Sequence, residues 1–99
     1  MDCEILRLRN ACEEGWLAII LATDILLTSF GCRKPDSYSG RRSILGDLEA
    51  RYPKIAKLGL RDRFSAGGYH LHVQGYREGM LGNIGVVKEL IKVKEYIAI

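Results

Sequence analysis

The sequence has few of the residues that form polar binding sites or that stabilise very small folds through disulfide bridges and metal ions. Its 99 residues include two histidines, two prolines, two asparagines and one glutamine. Hydrophobic residues make up 47% of the chain, which is enough to bury a core without a metal ion or disulfide bridges. There is no internal repeat and no low-complexity tract, so residues 1–99 are expected to form one domain.

Cysteine is also scarce, and its spacing excludes the common zinc motifs. Cys3, Cys12 and Cys32 form no C-x-x-C pair, and none is near His70 or His72 in sequence. The sequence therefore predicts no metal site and no cofactor. No secretory signal pattern precedes the cysteines, which favours a cytoplasmic protein with reduced thiols. The low glutamine and asparagine content is also typical of proteins from hot environments, in which one cysteine pair could form a disulfide.

The most apolar run, Leu17–Leu27, is too short to cross a bilayer and contains Asp24. This pattern predicts no membrane span and instead a core helix that is apolar on nearly all sides, in the middle of a bundle. A carboxylate in such a helix needs a partner. We expect a structural ion pair between Asp24 and one of three arginines: Arg61, Arg63 or Arg77.

Hydrophobic residues recur at helical spacing along most of the chain, and no segment alternates with the period of two of a strand. Helices are therefore predicted at about residues 3–30, 43–52, 54–78 and 83–96, with a loop at 32–42. Gly31 is the predicted C-cap of the first helix, and Pro53 ends the second. Gly67–Gly68 is expected to break or kink the third helix, and Asn83 to be the N-cap of the last. The predicted fold class is all-α, an antiparallel bundle of about four helices.

Positive charge is concentrated in the middle of the chain. Residues 33–63 have a net charge of +5, whereas the rest of the sequence has a net charge of −2. A basic segment of this kind favours an anionic partner. The alternative is an ordinary solvated face of a short helix and its loops.

One face of the third predicted helix carries four polar residues, at spacings of seven, four and three: Arg63, His70, Gln74 and Arg77. A histidine transfers protons at neutral pH, and the fork of an arginine stabilises developing phosphate charge. Arg63 and His70 would lie roughly 10 Å apart along the axis, from which both reach one phosphodiester. This face is therefore either a catalytic site for metal-free RNA cleavage or an ordinary solvated surface.

A second face of that helix carries Tyr69, His72 and Tyr76. Because aromatic rings flank it, His72 is either a binding residue or a core or interface histidine with one ring nitrogen bonded to a neighbour. On the first face, between Arg63 and His70, the small residues Ala66 and Gly67 leave room for a ligand or a second chain, or simply allow close helix packing.

The segment L-H-V-Q-G-Y-R-E-G, Leu71–Gly79, resembles the L-H-x3-Y-x2-G pattern of the small archaeal PaREP proteins. Through them the chain is similar to the HEPN superfamily. The resemblance implies a HEPN-like helical bundle, commonly a dimer, that binds nucleotides or cleaves RNA. The motif histidine of the PaREP pattern corresponds to His72. The superfamily's ribonuclease pattern, an arginine and a histidine separated by four to six residues, corresponds to Arg63 and His70.

Three functions are therefore expected. The first is a non-catalytic HEPN-like module that binds a nucleotide, a nucleic acid or a partner protein such as a nucleotidyltransferase subunit. Its predicted binding residues are Tyr69, His72, Gln74, Tyr76 and Arg77. The second is a toxin-like, metal-independent endoribonuclease with Arg63 and His70 as catalytic residues. The third is a structural assembly module. The resemblance implies a homodimer as the oligomeric state.

Overall fold

The structure is a computed structural model, and it describes residues 3–79 and 81–98. Every regular element within these residues is helical, which confirms the all-α prediction. The five α-helices are α1 Cys3–Ser29, α2 Tyr38–Arg51, α3 Pro53–Leu58, α4 Leu60–Gly67 and α5 Asn83–Ile97. Between α4 and α5 lies a π-helical segment, Gly68–Arg77, which we call the π segment. None of the helices in this described part of the chain is long and apolar enough to cross a membrane.

The long helix α1 packs against α2, α4, α5 and the π segment. It ends in a Schellman motif, in which the N–H groups of Gly31 and Cys32 bond to the carbonyls of Thr28 and Leu27, each at 3.0 Å. Gly31 has φ +80°, a left-handed conformation that favours glycine. The predicted C-cap at Gly31 is therefore confirmed.

Helix α2 begins within the predicted loop. The hydroxyl of Ser37 accepts a hydrogen bond of 3.0 Å from the Gly40 amide, so Ser37 is an N-cap and the helix starts at Tyr38 rather than near Ser43. The loop prediction over residues 32–42 was wrong in its second half because serine and glycine here form a cap and a first turn. As a result Arg41 occupies a helical position facing α1.

The third predicted helix is interrupted at Gly59, not at Gly67–Gly68. Gly59 has φ +63° and separates α3 from α4. Gly67 and Gly68 keep helical dihedral angles, but the hydrogen bonding changes there to the i→i+5 pattern. A Cβ on Gly67 would lie 2.7 Å from the Ile19 side chain, and one on Gly68 would lie 3.2 Å from the Trp16 ring. These glycines therefore allow α1 to pack closely on the end of α4 and the start of the π segment.

The core lies where α1, α4, α5 and the π segment meet. Thr23 and Tyr96 hydrogen-bond through their hydroxyls at 2.6 Å and join α1 to α5 inside it. The buried hydrophobic residues are Cys12, Trp16, Ile19, Leu27, Leu45, Leu48, Leu60, Phe64, Leu71, Val86, Val93 and Tyr96.

The prediction that α1 is surrounded on nearly all sides was wrong for one face. Leu17, Leu21 and Ile25 are 55%, 63% and 62% exposed. The described residues form a slab with extents of 46 × 24 × 17 Å, and within it this side of α1 stays uncovered.

The C-terminal end of the π segment and the N-terminal end of α5 are capped in different ways. Arg9 of α1 donates from Nε to the Tyr76 carbonyl and from Nη2 to the Arg77 carbonyl, both at 2.7 Å. These bonds satisfy carbonyls that the end of a helix leaves unpaired. At α5 the N-cap is Gly82 and Asn83 is the first helical residue, so the predicted cap was wrong by one position.

Candidate functional site

A cavity of about 420 Å³ opens between α1, α2, α4 and the π segment. Five aromatic side chains line it: Trp16, Tyr38, Phe64, Tyr69 and His72. We call it the aromatic cavity. Its volume lies within the range of about 300–1,000 Å³ that is usual for small-molecule sites.

The rings of the aromatic cavity pack on one another. Phe64 is fully buried, and its ring centroid lies 5.1 Å from that of Trp16 and 5.3 Å from that of Tyr38. Tyr38 and Tyr69 are about half exposed. The inner wall is therefore fixed by core packing, while the two tyrosines form a mouth that solvent reaches.

His72 is held in place on the cavity wall by Glu13 of α1. Its Nδ1 lies 2.9 Å from Glu13 Oε2. Because an ionised carboxylate only accepts hydrogen bonds, Nδ1 carries a proton and Nε2 is the acceptor nitrogen of the neutral ring. The His72 ring lies 6.3 Å from the Trp16 ring and stacks at 6.1 Å on Tyr76. One ring nitrogen of His72 is therefore bonded to a neighbour, while the choice between a binding residue and a core or interface histidine stays a prediction.

Arg41 also lines the cavity and is paired with Asp24. Its Nε and Nη2 donate to the two carboxylate oxygens at 2.7 and 2.9 Å. This hydrogen bonding raises the pKa of Arg41 above its ordinary value. The expected pairing of Asp24 with an arginine is confirmed. The candidates Arg61, Arg63 and Arg77 were wrong, because the early start of α2 places Arg41 against α1.

A second, open cavity of about 540 Å³ is also lined by Tyr38, and we call it the basic cleft. Arg42 and Arg61 line it, together with one carboxylate, that of Asp47. Arg42 donates from Nε to the Ser65 hydroxyl at 2.9 Å, and that hydroxyl donates to the Arg61 carbonyl at 2.9 Å. Tyr38 lines both cavities, so the two are neighbours. An arginine fork is well suited to phosphate oxygens.

The residues of the predicted ribonuclease site have different surroundings. Arg63 lines a smaller cavity of about 160 Å³ between α4 and α5, with Glu89 and Glu95. His70 has its Nδ1 3.1 Å from Gln74 Oε1. The shared face predicted for Arg63 and His70 assumed α-helical winding throughout. In the π segment the wider i→i+5 turn rotates each residue by less than in an α-helix. The catalytic role of the two residues stays a prediction.

The five predicted binding residues are divided between the cavity and its surroundings. Tyr69 and His72 line the aromatic cavity, and Tyr76 stacks on the outer side of His72. Gln74 is engaged with His70, and the exposed Arg77 offers its carbonyl to Arg9.

The sequence analysis missed the part of the aromatic cavity's wall that α1, α2 and α4 contribute. Tyr38 and Arg41 were assigned to a loop, although Ser37 is a recognisable N-cap that could have revealed the helix. Trp16 and Phe64 lie within predicted helices, but no local pattern marked them as residues of a site. Glu13 is separated from His72 by 59 positions, and no local pattern relates them.

Cys12 and Cys32 do not line the aromatic cavity. Cys12 is fully buried, and burial raises the pKa of its thiol. Cys12 and Cys32 are free, and the side chain of Cys3 lies outside the described residues. Among the side chains that the structure describes, no three histidine, cysteine, aspartate or glutamate residues come together as metal ligands.

Comparisons with known proteins give no match to this chain, whether with family models, with curated proteins or with solved structures. The functional interpretation therefore depends on the geometry of the aromatic cavity and the basic cleft.

Proposed function

We propose that this chain is a non-catalytic, HEPN-like helical module that binds a nucleotide, either free or at the end of an RNA strand. The observation that supports the proposal most strongly is the position of the aromatic cavity directly beside the basic cleft, with Tyr38 shared by both. A cytoplasmic location, where both sources of nucleotide occur, is part of the same proposal.

The aromatic cavity supplies the contacts that a nucleobase needs. Every base has a flat π face, and its stacking on an aromatic side chain contributes about 1–3 kcal/mol per base. Tyr38 and Tyr69 at the mouth are exposed enough to meet a base, and Trp16 forms the wall behind them. His72 offers Nε2 as a hydrogen-bond acceptor, because Glu13 fixes its tautomer.

The basic cleft supplies the phosphate contacts. Arg41 is largely neutralised by Asp24, so it orders the wall rather than binding an anion. Arg42 is exposed, and its Nε donates to a neutral partner, the Ser65 hydroxyl, rather than to a carboxylate. A base in the aromatic cavity would place its 5′ or 3′ phosphate on the side of Tyr38 where Arg42 and Arg61 lie.

Fluorescence anisotropy with a 5′-phosphorylated RNA tetranucleotide labelled at its 3′ end tests the proposal. Tyr69→Ala is expected to weaken binding by about 5- to 150-fold, the loss of one stacked base. Arg42→Ala should weaken binding and reduce the salt dependence by about one phosphate contact. Matched controls are Tyr52→Ala, a tyrosine of similar exposure that packs on Phe30, and Arg51→Ala near the other end of α2.

Competition with a mononucleotide distinguishes the two sources of the ligand. If a mononucleotide displaces the labelled RNA at the same concentration as an unlabelled oligomer does, the site binds free nucleotides. If only 5′-phosphorylated oligomers displace it, the site binds an RNA end. Equal effects of Tyr69→Ala and Tyr52→Ala, or no binding of either the mononucleotide or the 5′-phosphorylated oligomer at millimolar concentration, would rule out the aromatic cavity as the site.

The proposal also expects no RNA cleavage by the purified protein. Cleavage without metal that disappears in both Arg63→Ala and His70→Ala would instead assign the endoribonuclease function. A rate that both variants leave unchanged would identify a contaminant.

A further inference from the structure

His72 has one ring nitrogen that is bonded within the chain and one that is open. Its Nδ1 lies 2.9 Å from the Glu13 carboxylate, and Glu13 does not itself line the aromatic cavity. Among the described residues, Nε2 has no hydrogen-bond partner. The His72 side chain is 39% exposed and belongs to the cavity wall. Nε2 is therefore the polar atom of His72 that a ligand can reach.

Glu13 decides which role Nε2 can take. In a neutral imidazole one nitrogen donates and the other accepts, so a carboxylate bonded to Nδ1 leaves Nε2 as the acceptor. Glu13 is held beside the ring by close packing at the preceding residue of α1, because a Cβ on Gly75 would lie 2.6 Å from Cys12 Sγ. The hydrogen bond between Glu13 and His72 is thus supported by the packing of α1 on the π segment.

The other polar side chains of the aromatic cavity offer donors or rotatable hydroxyls. The indole of Trp16 and the guanidinium of Arg41 can only donate, and Arg41 is already bonded to Asp24. Three hydroxyl groups can each donate or accept: those of Tyr38, Ser65 and Tyr69. Among the side chains that the structure describes around this cavity, His72 supplies the acceptor whose role is fixed. A base in the cavity is best matched when it presents an N–H donor to His72.

We propose that His72, with its tautomer set by Glu13, makes the proposed nucleotide site selective for bases that carry an exocyclic amino group, adenine or cytosine. The selectivity presupposes that the site binds nucleotides. The amino group of these bases donates to Nε2, whereas an oxo group in its place, as in hypoxanthine or uracil, sets lone pairs against that of Nε2. These groups lie on the edge of the base away from the sugar, and that edge enters the cavity when the phosphate lies in the basic cleft.

In this arrangement Glu13 is a positioning residue, because it acts on the ligand only through His72. Loss of the hydrogen bond alone is expected to weaken binding about 2- to 10-fold, the range for a single hydrogen bond. An oxo group leaves Nε2 facing another acceptor, and the expected loss is then about 5- to 150-fold.

Isothermal titration calorimetry of the full chain with three purine nucleotides tests the proposal. The probes are the 5′-monophosphates of adenosine, purine riboside and inosine, which carry an amino group, a hydrogen and an oxo group at the same carbon. We expect affinity to fall in that order at about pH 8.5, where an imidazole is ordinarily neutral. In Glu13→Gln the amide can accept from or donate to Nδ1, so the adenosine-to-inosine affinity ratio should fall toward one.

Two further variants separate selectivity from folding. His72→Phe keeps a ring that can stack on Tyr76 but has no nitrogen, so it should bind the three nucleotides about equally. Glu14→Gln is the matched control, because Glu14 is the exposed neighbouring carboxylate on α1. It should keep the selectivity of the natural chain, and circular dichroism checks that every variant remains helical. Long-range proton–nitrogen NMR spectra read the tautomer of His72 directly, with the proton expected on Nδ1 in the natural chain.

The outcomes distinguish failure of the selectivity from failure of the nucleotide site. Binding of all three nucleotides with equal affinity would overturn the selectivity and leave nucleotide binding in place. A natural selectivity that persists in both Glu13→Gln and His72→Phe would also overturn it, as would a proton on Nε2 in the NMR spectra. Absence of binding for every nucleotide would overturn both proposals together.

Discussion

Replacing Arg41 with methionine removes one side of the ion pair that joins α1 to α2. The Asp24 carboxylate would then lose two hydrogen bonds, of 2.7 and 2.9 Å, at a position where its side chain is 10% exposed. Methionine keeps the length and apolar stem of the arginine, so the variant isolates the charge. We expect Arg41→Met to destabilise the fold strongly, because it leaves a buried charge without a partner.

The size of the effect can be estimated from burial. Breaking a buried ion pair on one side costs about 3–5 kcal/mol. A domain of this length has a total free energy of unfolding of about 5–15 kcal/mol. The loss is therefore a fifth or more of the total, and it corresponds to a fall in Tm of about 12 °C or more. Removing both charges in Asp24→Leu/Arg41→Met should recover most of that stability, since no unpaired charge is left.

Urea denaturation followed by circular dichroism gives these free energies, and an unchanged m-value confirms that the variants unfold from the same compact state. Arg42→Met is the matched control, because the Arg42 guanidinium is exposed and its partner among the described residues is a serine hydroxyl. We expect that control to lie within about 1 kcal/mol of the natural chain. A loss below about 1 kcal/mol in Arg41→Met, or a double variant as unstable as the single one, would refute the reasoning.

Two further predictions concern the packing of α1. Gly75→Ala is expected to lower the free energy of unfolding by about 1–3 kcal/mol in urea denaturation, because the added Cβ would lie 2.6 Å from Cys12 Sγ. Adding Cys12→Ala to the same chain should restore part of that loss. Burial raises the pKa of Tyr96 above its ordinary value of 10.0, so the stability it contributes is complete below that pH and is lost as the pH rises through the folded-state pKa. The free energy of unfolding of Tyr96→Phe, measured across that alkaline range, should lack this loss, and an identical decline in both proteins would contradict the assignment.

The helical spacing of hydrophobic residues was enough to predict most of the fold. α1 and α5 were predicted nearly to their ends because each has a long apolar repeat and because Gly31 is a strong local stop signal. The start of α2 was missed because Ser37 and Gly40 resemble loop residues until the cap between them is seen. The break at Gly59 and the π winding after Gly67 depend on how α4 and the π segment pack against α1, which periodicity does not encode.

The site was predictable only where it lies on one element. Tyr69, His72 and Tyr76 were grouped correctly as neighbours because they lie within a single helical segment. Glu13, Trp16 and Tyr38 could not be added, since they come from distant parts of the chain: Glu13 and Trp16 reach His72, and Tyr38 reaches the same cavity, only after folding. Contacts between distant parts of the chain also decide the partner of Asp24. Its pairing with an arginine was therefore predicted correctly, but the three candidate arginines were wrong.

The most direct test of nucleotide binding uses Trp16, the single tryptophan of the chain, as an intrinsic probe. Trp16 lines the aromatic cavity, so a base that enters should change its emission. We predict a saturable change on titration with a nucleoside monophosphate at low salt, a weaker response to the nucleoside without phosphate, and a shift to higher concentration in Arg42→Ala. A linear response equal to that of free N-acetyltryptophanamide, or the same curve with and without the phosphate, would contradict the account.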